Sequence, residues 1–195
     1  MKKIKLTGLL ALALMCSCKI DKKYDLPYYD YYLRLSILDA AGNDIVKRIG
    51  LLDGQSLDGF FWGATVKPDL YTMEVVFPEP CMDIYHPQPM EGVIYDECVP
   101  KLAVDILGDN YYLVLRTISD HHDECPNPAK TLTFKLKCPE LFGDDSTHEI
   151  VTYWKEGNTQ CRLCYRFELD GKEYTQISYE QYDQISCATV ILDDK

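Results

Sequence analysis

Two cysteines three positions apart carry the most reactive pattern in this sequence. Cys161 and Cys164 have the spacing of a redox or zinc pair, which in thioredoxin-like folds opens a helix whose N-terminus lowers the thiol pKa. Here the pair leads into an alternating strand, where residues three apart point to opposite faces. We therefore expect Cys161 to face inward and Cys164 outward, with neither a shared ion nor a shared disulfide. A bulge or turn at Arg162 would reverse this conclusion.

The densest group of metal-capable side chains is a run of four residues. His121 and His122 stand beside Asp123 and Glu124. Adjacent histidines on a loop can contact one ion, but a defined site needs further ligands held rigidly, and the neighbouring sequence guarantees none. A solvated turn is favoured. We predict no metal site, no cofactor and no catalytic residues.

The remaining cysteines favour structural disulfides. Seven cysteines lie beyond residue 18, and in an oxidising compartment that many are expected to pair at least in part. Cys81 and Cys98 flank a proline-rich loop, which a disulfide between them would close. In the chain-entropy model such a loop closure stabilises the fold by about 3 kcal/mol.

Aromatic residues crowd two short stretches of the chain. Exposed together, they would form a patch that stacks on sugar rings or on a protein partner. The alternative, which we favour, is that alternate tyrosines pack the first strand while the others cover its edge. Trp62 and Trp154 are expected to be buried. The candidate binding residues are Tyr28, Tyr29, Tyr31, Tyr32, Phe60 and Phe61.

The elements that position these residues read as strands. Apolar residues alternate with polar ones, turn residues recur at regular spacing, and helical periodicity is nearly absent outside a weak candidate at 179–184. This pattern predicts an all-β fold, an antiparallel Ig-like or transthyretin-like sandwich in a single domain. The predicted strands are 33–37, 45–46, 71–77, 102–106, 111–118, 131–138, 150–154, 163–169 and 187–192.

The amino end reads as an export leader. Lys2, Lys3 and Lys5 precede the apolar run 6–15, which is too short to span a bilayer, and the small residue Ser17 follows. The predicted organisation is a signal peptide (1–17), a tether (18–26) and a β-sandwich domain (27–195).

The charge of the chain excludes one class of partner. The full chain of 195 residues has a net charge of −11, and removing 17 residues with three lysines leaves 178 residues at −14. So acidic a surface repels phosphate backbones and anionic lipid headgroups. Nucleic acid is therefore not expected as a partner, and membrane contact should come from acyl chains alone.

The leader resembles that of a bacterial lipoprotein precursor, since Leu14, Met15, Cys16, Ser17 and Cys18 stand where that family carries its lipobox. The resemblance implies that Cys18 becomes the acylated, palmitate-bearing first residue of the mature chain. It also implies attachment to a membrane of the cell envelope. We expect the outer membrane, with the periplasmic or surface face left open.

A second resemblance lies in the later part of the chain. The segments 138–144 and 148–154 are similar to a stretch of small uncharacterised envelope lipoproteins of Bacteroidetes-type bacteria. That family has no established activity to transfer. The resemblance therefore supports class and location alone.

Three functional hypotheses follow from these observations. We favour a lipid-anchored, non-catalytic module that binds a polysaccharide or an envelope protein. A metal- or thiol-dependent enzyme would require His121 and His122, or Cys161 and Cys164, to converge with further ligands in a cleft. A fimbrillin-like structural subunit is the third hypothesis, although the chain looks short for that family.

Overall fold

The computed structural model describes seven stretches of the chain. They are residues 28–52, 63–84, 101–107, 109–120, 127–157, 161–179 and 185–193. Within them the structure is mostly β with one short α-helix, which confirms the predicted all-β class. No helix in these stretches is long and apolar enough to cross a membrane.

The strands follow the predicted ones closely in the middle of the chain. They are β1 (Tyr28–Leu38), β2 (Ala64–Thr65), β3 (Thr72–Val76), β4 (Ala103–Leu107), β5 (Asn110–Asp120), β6 (Thr131–Lys137), β7 (His148–Glu156), β8 (Cys161–Leu169), β9 (Lys172–Tyr174), β10 (Ile177–Tyr179) and β11 (Ser186–Ile191). The short helix α1 spans Pro139–Phe142, and 3-10 helices span Val46–Arg48 and Pro68–Leu70.

These strands join one curled sheet in the order β2-β4-β5-β1-β8-β7-β6-β3, with β9 beside β8 and the β11–β10 pair beside β1. One edge of β1 pairs with β5, and the other edge divides its pairing between two neighbours, β8 and β11. It pairs with β8 only at Asp30 and Tyr31, and with β11 from Leu33 to Leu38. Both of these pairings are parallel, so the sheet is mixed rather than antiparallel throughout.

One main hydrophobic core lies on the inner side of the curl. Burial along β6 alternates residue by residue, as its apolar-in, polar-out sequence predicts. Strands from both halves of the sheet contribute to this core, so the two halves stabilise each other. Its fully buried side chains include Leu33, Leu35, Leu113, Leu115, Leu132, Phe134, Leu136 and Phe167.

The strand predicted at 45–46 is wrong. A single bridge joins Leu38 to Asp44, and the chain then turns into the 3-10 helix instead of a second strand. Ile45 and Val46 are buried in the main core, so these apolar residues pack from a helical turn. Periodicity over two residues could not distinguish the two conformations.

Helix α1 was not predicted, although the sequence marks both of its ends. Pro139 occupies the first turn, where its missing N–H costs nothing, and Gly143 follows the helix with a φ of 73°. Leu141 and Phe142 are buried from this helix. The candidate helix at 179–184 is not seen at its start, because Tyr179 ends β10; the rest lies outside the described residues.

Candidate functional site

Two of the candidate aromatic residues on the first strand, Tyr31 and Tyr32, are buried. Because side chains alternate along β1, Tyr29 and Tyr31 face the inner side of the sheet and Tyr32 faces the outer side. Tyr31 is fully buried and Tyr32 is 9% exposed. Neither ring therefore offers a surface to an external ligand, which corrects the candidate binding role of both residues and agrees with the favoured alternative, that tyrosines pack the first strand.

Several predicted residues cannot be placed. Cys18, Phe60, Phe61, Cys98, His121 and His122 lie outside the described residues, and Tyr28 begins β1 without a described side chain. Cys81 is disulfide-bonded. Cys138, Cys161, Cys164 and Cys187 stand as thiols, so the partner of Cys81 also lies outside the described residues. The pairing of Cys81 with Cys98 therefore stays a prediction.

Tyr32 lies in a ladder of ion pairs on the outer side of the sheet. Arg34 pairs with Asp105, and Arg116 holds Asp30 through two hydrogen bonds of 2.9 and 2.6 Å. The two guanidinium groups lie 5.3 and 5.6 Å from the Tyr32 ring centroid. Burial raises the pKa of Tyr32 to about 12 despite these cations. This ladder satisfies its own charges and accounts for the burial of Tyr32.

A β-bulge determines which way the Cys161–Cys164 pair points. Trp154 pairs with Cys164 and Tyr153 pairs with Arg166, so Tyr165 is an extra residue on β8. The bulge reverses the alternation on either side of Tyr165. As a result Cys164 lies on the same inner side as Phe167, opposite to the predicted orientation.

The two thiols nevertheless lie on opposite faces of β8, as their spacing predicts. Cys164 is fully buried, whereas Cys161 is half-buried. Burial raises the pKa of the Cys164 thiol to about 12, so this thiol is protonated at neutral pH and is a poor nucleophile. The geometry therefore argues against a redox or zinc role for this pair. In the described stretches, no three His, Cys, Asp or Glu side chains are grouped to hold a metal ion.

His148 fastens the end of α1 to the β8–β9 turn. Its Nδ1 lies 2.6 Å from an Asp170 carboxylate oxygen, its Nε2 lies 3.1 Å from Asp144, and the Phe142 ring stacks on it at 3.8 Å. Asp170, with a φ of 50°, opens the turn and also accepts the Glu149 backbone N–H at 2.9 Å. Because both imidazole nitrogens are engaged, this arrangement reads as structural.

A third feature of the fold is a buried arginine, Arg162, that has no carboxylate partner among the described residues. Arg162 is 7% exposed and faces the inner side of β8, in register with Tyr31 of β1. Its guanidinium carbon lies 4.5 Å from the centroid of the Tyr29 ring. Its Nε has no hydrogen-bond partner, and no ion pair joins Arg162 to a described carboxylate. An aromatic face compensates a buried charge less well than a carboxylate does.

The neighbours of Arg162 across the sheet are also unsatisfied. Thr117 of β5, Tyr31 of β1 and Arg162 of β8 form one row of inward-facing residues. The Thr117 Oγ1, the Tyr31 hydroxyl and the Arg162 Nε are all buried without a hydrogen-bond partner. Ser119 and the Ala129 backbone lie close enough to the Tyr31 hydroxyl to lower its burial-raised pKa, but neither completes a hydrogen bond. Buried polar atoms are normally paired, so such a row calls for an explanation.

Arg162 opens onto a cleft of about 730 Å³, which we call the Arg162 cleft. This volume is within the range of small-molecule sites. Three cations and one carboxylate are among its described lining residues, in a chain whose net charge is −11. The lining residues are Asn127, Pro128, Ala129, Lys130, Trp154, Lys155, Glu156, Arg162 and Tyr165.

Exposed tyrosines lie beside this cleft, on the outer side of β7 and β8. Tyr165 is 44% exposed at the bulge, and the Tyr153 ring lies 6.5 Å from it, under the Arg166 guanidinium. Tyr179 of β10 is 41% exposed, with the Lys155 ammonium 5.1 Å from its ring centroid. We call Tyr153, Tyr165 and Tyr179 the tyrosine surface. Tyr165 and Lys155 link it to the Arg162 cleft.

No known protein family, curated protein or solved structure matches this chain. Any role for the residues of the cleft and of the tyrosine surface is therefore argued from their geometry alone. Sequence analysis missed all of them except Trp154, whose predicted burial is confirmed at 3% exposure. A regular strand period places Arg162 on the outward face with Cys164, and only the bulge at Tyr165 turns it inward, so no local signal marks it in the sequence.

Proposed function

We propose that this chain is a lipid-anchored, non-catalytic binding module of the cell envelope, and that its ligand is a polysaccharide. The observation that carries the proposal is the tyrosine surface beside the Arg162 cleft. Two exposed rings flanked by lysine and arginine side chains can stack on the apolar faces of sugar rings while the cations contact hydroxyl and acidic groups. This surface takes the role that sequence analysis gave to the first strand.

The rest of the proposal comes from the sequence. The leader with Cys18 supports acylation and attachment at the outer membrane, and the 138–154 segment supports kinship with small Bacteroidetes-type envelope lipoproteins. For the fold, we propose that the curled sheet is a variant of an Ig-like or transthyretin-like sandwich. Supporting this, the two halves share one core, and the short β1–β8 pairing is the strand pairing that joins them in the described part of the chain.

We expect Tyr165→Ala to weaken polysaccharide binding by about 5- to 30-fold, as loss of a central aromatic contact does at other interfaces. Unfolding free energy should change by less than about 0.5 kcal/mol because the side chain is exposed. Affinity electrophoresis in gels containing pectin, xylan or dextran measures the retardation. Ile191→Ala is the matched control, since Ile191 is 52% exposed but lies on β11. Equal retardation of Tyr165→Ala and parent in every gel that retards the parent would contradict the proposal.

Anchoring has its own test at Cys18. Cells expressing the parent should incorporate labelled palmitate into the protein, whereas Cys18→Ala should accumulate as an unacylated precursor. Gel mobility and fractionation with membranes report the outcome. A variant that matures and fractionates as the parent does would refute acylation at this position.

A further inference from the structure

We propose that the Arg162 cleft binds the carboxylate group of an acidic sugar, so that the polysaccharide ligand contains uronate units. This inference rests on the proposed function and names the class of its ligand. The tyrosine surface does not determine whether the sugar is neutral or acidic, whereas the Arg162 cleft favours an acidic sugar.

The first argument is the uncompensated charge of Arg162. A guanidinium is charged at every physiological pH, and a protein that buries one ordinarily supplies a carboxylate. The ion-pair ladder on the outer side of this same sheet does so for Arg34 and Arg116. Arg162 is as buried as Arg34, but no described carboxylate lies within ion-pair distance of it. Glu156, its cross-strand neighbour on β7, is exposed and lines the cleft. A ligand carboxylate would complete the missing pair.

The second argument is the form of the donor. The planar guanidinium offers parallel N–H donors that match the two oxygens of a carboxylate. A single buried cation matches one negative charge. Lys130 and Lys155 are exposed at the rim, where they would attract an anion without competing for its buried group.

The third argument is the aromatic wall of the cleft. Trp154 lines it from β7 and Tyr165 from the bulge of β8. Of these two rings, Tyr165 is 44% exposed and can accept the apolar face of a pyranose, whereas Trp154 is 3% exposed and backs the cleft from the core. A bare inorganic anion gains nothing from an aromatic ring. An exposed ring beside one buried cation therefore favours a sugar acid over free phosphate or sulfate.

The test compares matched sugars on the full lipoprotein purified in detergent. Trisaccharides of galacturonate, glucuronate and mannuronate, each as the free acid and as the methyl ester, are titrated by calorimetry, with inorganic phosphate and sulfate as further probes. We expect at least one acid to bind about 10- to 100-fold more tightly than its ester, the range for a charge-assisted hydrogen-bonded pair. Arg162→Met should abolish this preference. Arg162→Lys keeps the positive charge but loses the parallel N–H donors of the guanidinium, so it should retain part of the preference for the acid.

Thermal unfolding without ligand separates a binding role from a structural one. If Arg162 is an uncompensated charge, Arg162→Met should unfold at the parent temperature or about 2 to 5 °C above it, because an apolar side chain replaces a buried ion. Lys135→Met is the control, since it removes a half-exposed cation from β6 that pairs with Glu74. This control should leave both the preference and the unfolding temperature unchanged.

Each adverse outcome has a distinct meaning. If an acid and its ester bind equally, or if Arg162→Met keeps the preference, the carboxylate inference fails while polysaccharide binding stands. If phosphate or sulfate alone binds, the cleft is a general anion site and the inference fails. If Arg162→Met unfolds several degrees below the parent, Arg162 is structural and the inference also fails. If no saccharide binds in either form, the proposed function fails as well.

Discussion

Replacing Gly63 with alanine should destabilise the protein by about 3 kcal/mol, the combined cost of a left-handed backbone and of overpacking. Gly63 has a φ of 75°, and a Cβ at this position would lie 2.7 Å from the carbonyl oxygen of Val104. That oxygen belongs to the backbone of β4, on which β2 pairs through Ala64. The clash can be relieved only by separating the two strands. Urea denaturation followed by circular dichroism measures the loss.

Gly143→Ala provides the matched control for this prediction. Gly143 has nearly the same φ, 73°, but no atom lies within 4 Å of the position that an alanine methyl group would occupy there. We expect a loss of about 1 kcal/mol, from the backbone conformation alone. The difference between the two variants therefore isolates the close approach of β2 to β4. Equal losses would contradict the proposed clash.

Trp154→Ala should cost about 3 to 5 kcal/mol, the range for deleting a large buried aromatic side chain. The Trp154 ring meets Tyr31 edge-on at 5.2 Å between centroids. Its Nε1 donates to Thr152 Oγ1 at 2.7 Å, and Thr152 in turn donates to the Leu132 carbonyl at 3.0 Å. Removing the indole leaves a cavity between the two halves of the sheet. Chemical denaturation followed by far-ultraviolet circular dichroism measures the effect without relying on tryptophan fluorescence.

Trp154→Phe separates packing from hydrogen bonding. This variant keeps an aromatic ring but loses the N–H, and the expected cost is about 1 to 2 kcal/mol. Thr152 keeps its hydrogen bond to the Leu132 carbonyl, so only the hydrogen bond from the indole N–H is lost. A loss for Trp154→Ala no greater than that for Trp154→Phe would show that the indole volume contributes little.

Strands whose sequences alternate cleanly could be predicted from local residues. The strands predicted at 102–106 and 111–118 form the antiparallel pair β4–β5, and those at 150–154 and 163–169 form the pair β7–β8. The two strands of each pair are consecutive in the sequence, so the local alternation and the turn residues between them are enough to predict the antiparallel pairing. No turn or local pattern indicates the parallel pairing of β1 with β11, because the two strands lie at opposite ends of the described chain. The predicted sheet was therefore antiparallel, whereas the observed sheet is mixed.

The site could not be predicted, for two physical reasons. The extra residue at Tyr165 shifts the inward and outward alternation, so the orientation of Cys164 read from a regular period was reversed. The environment of Arg162 depends on Tyr29 and Tyr31, which lie more than a hundred positions away and reach it through the short β1–β8 pairing. Neither a one-residue bulge nor a non-local pairing leaves a trace in hydrophobic periodicity.

The division of β1 between two partners has a consequence for how the chain acquires its structure. Leu33 finds its neighbour in Ser186, so the earliest described strand is completed by the latest one. Contacts of such long range form slowly, because most of the polypeptide must be present before they can close. The edge of β1 that pairs with β11 therefore stays unpaired over residues 33–38 until the last described strand has been synthesised.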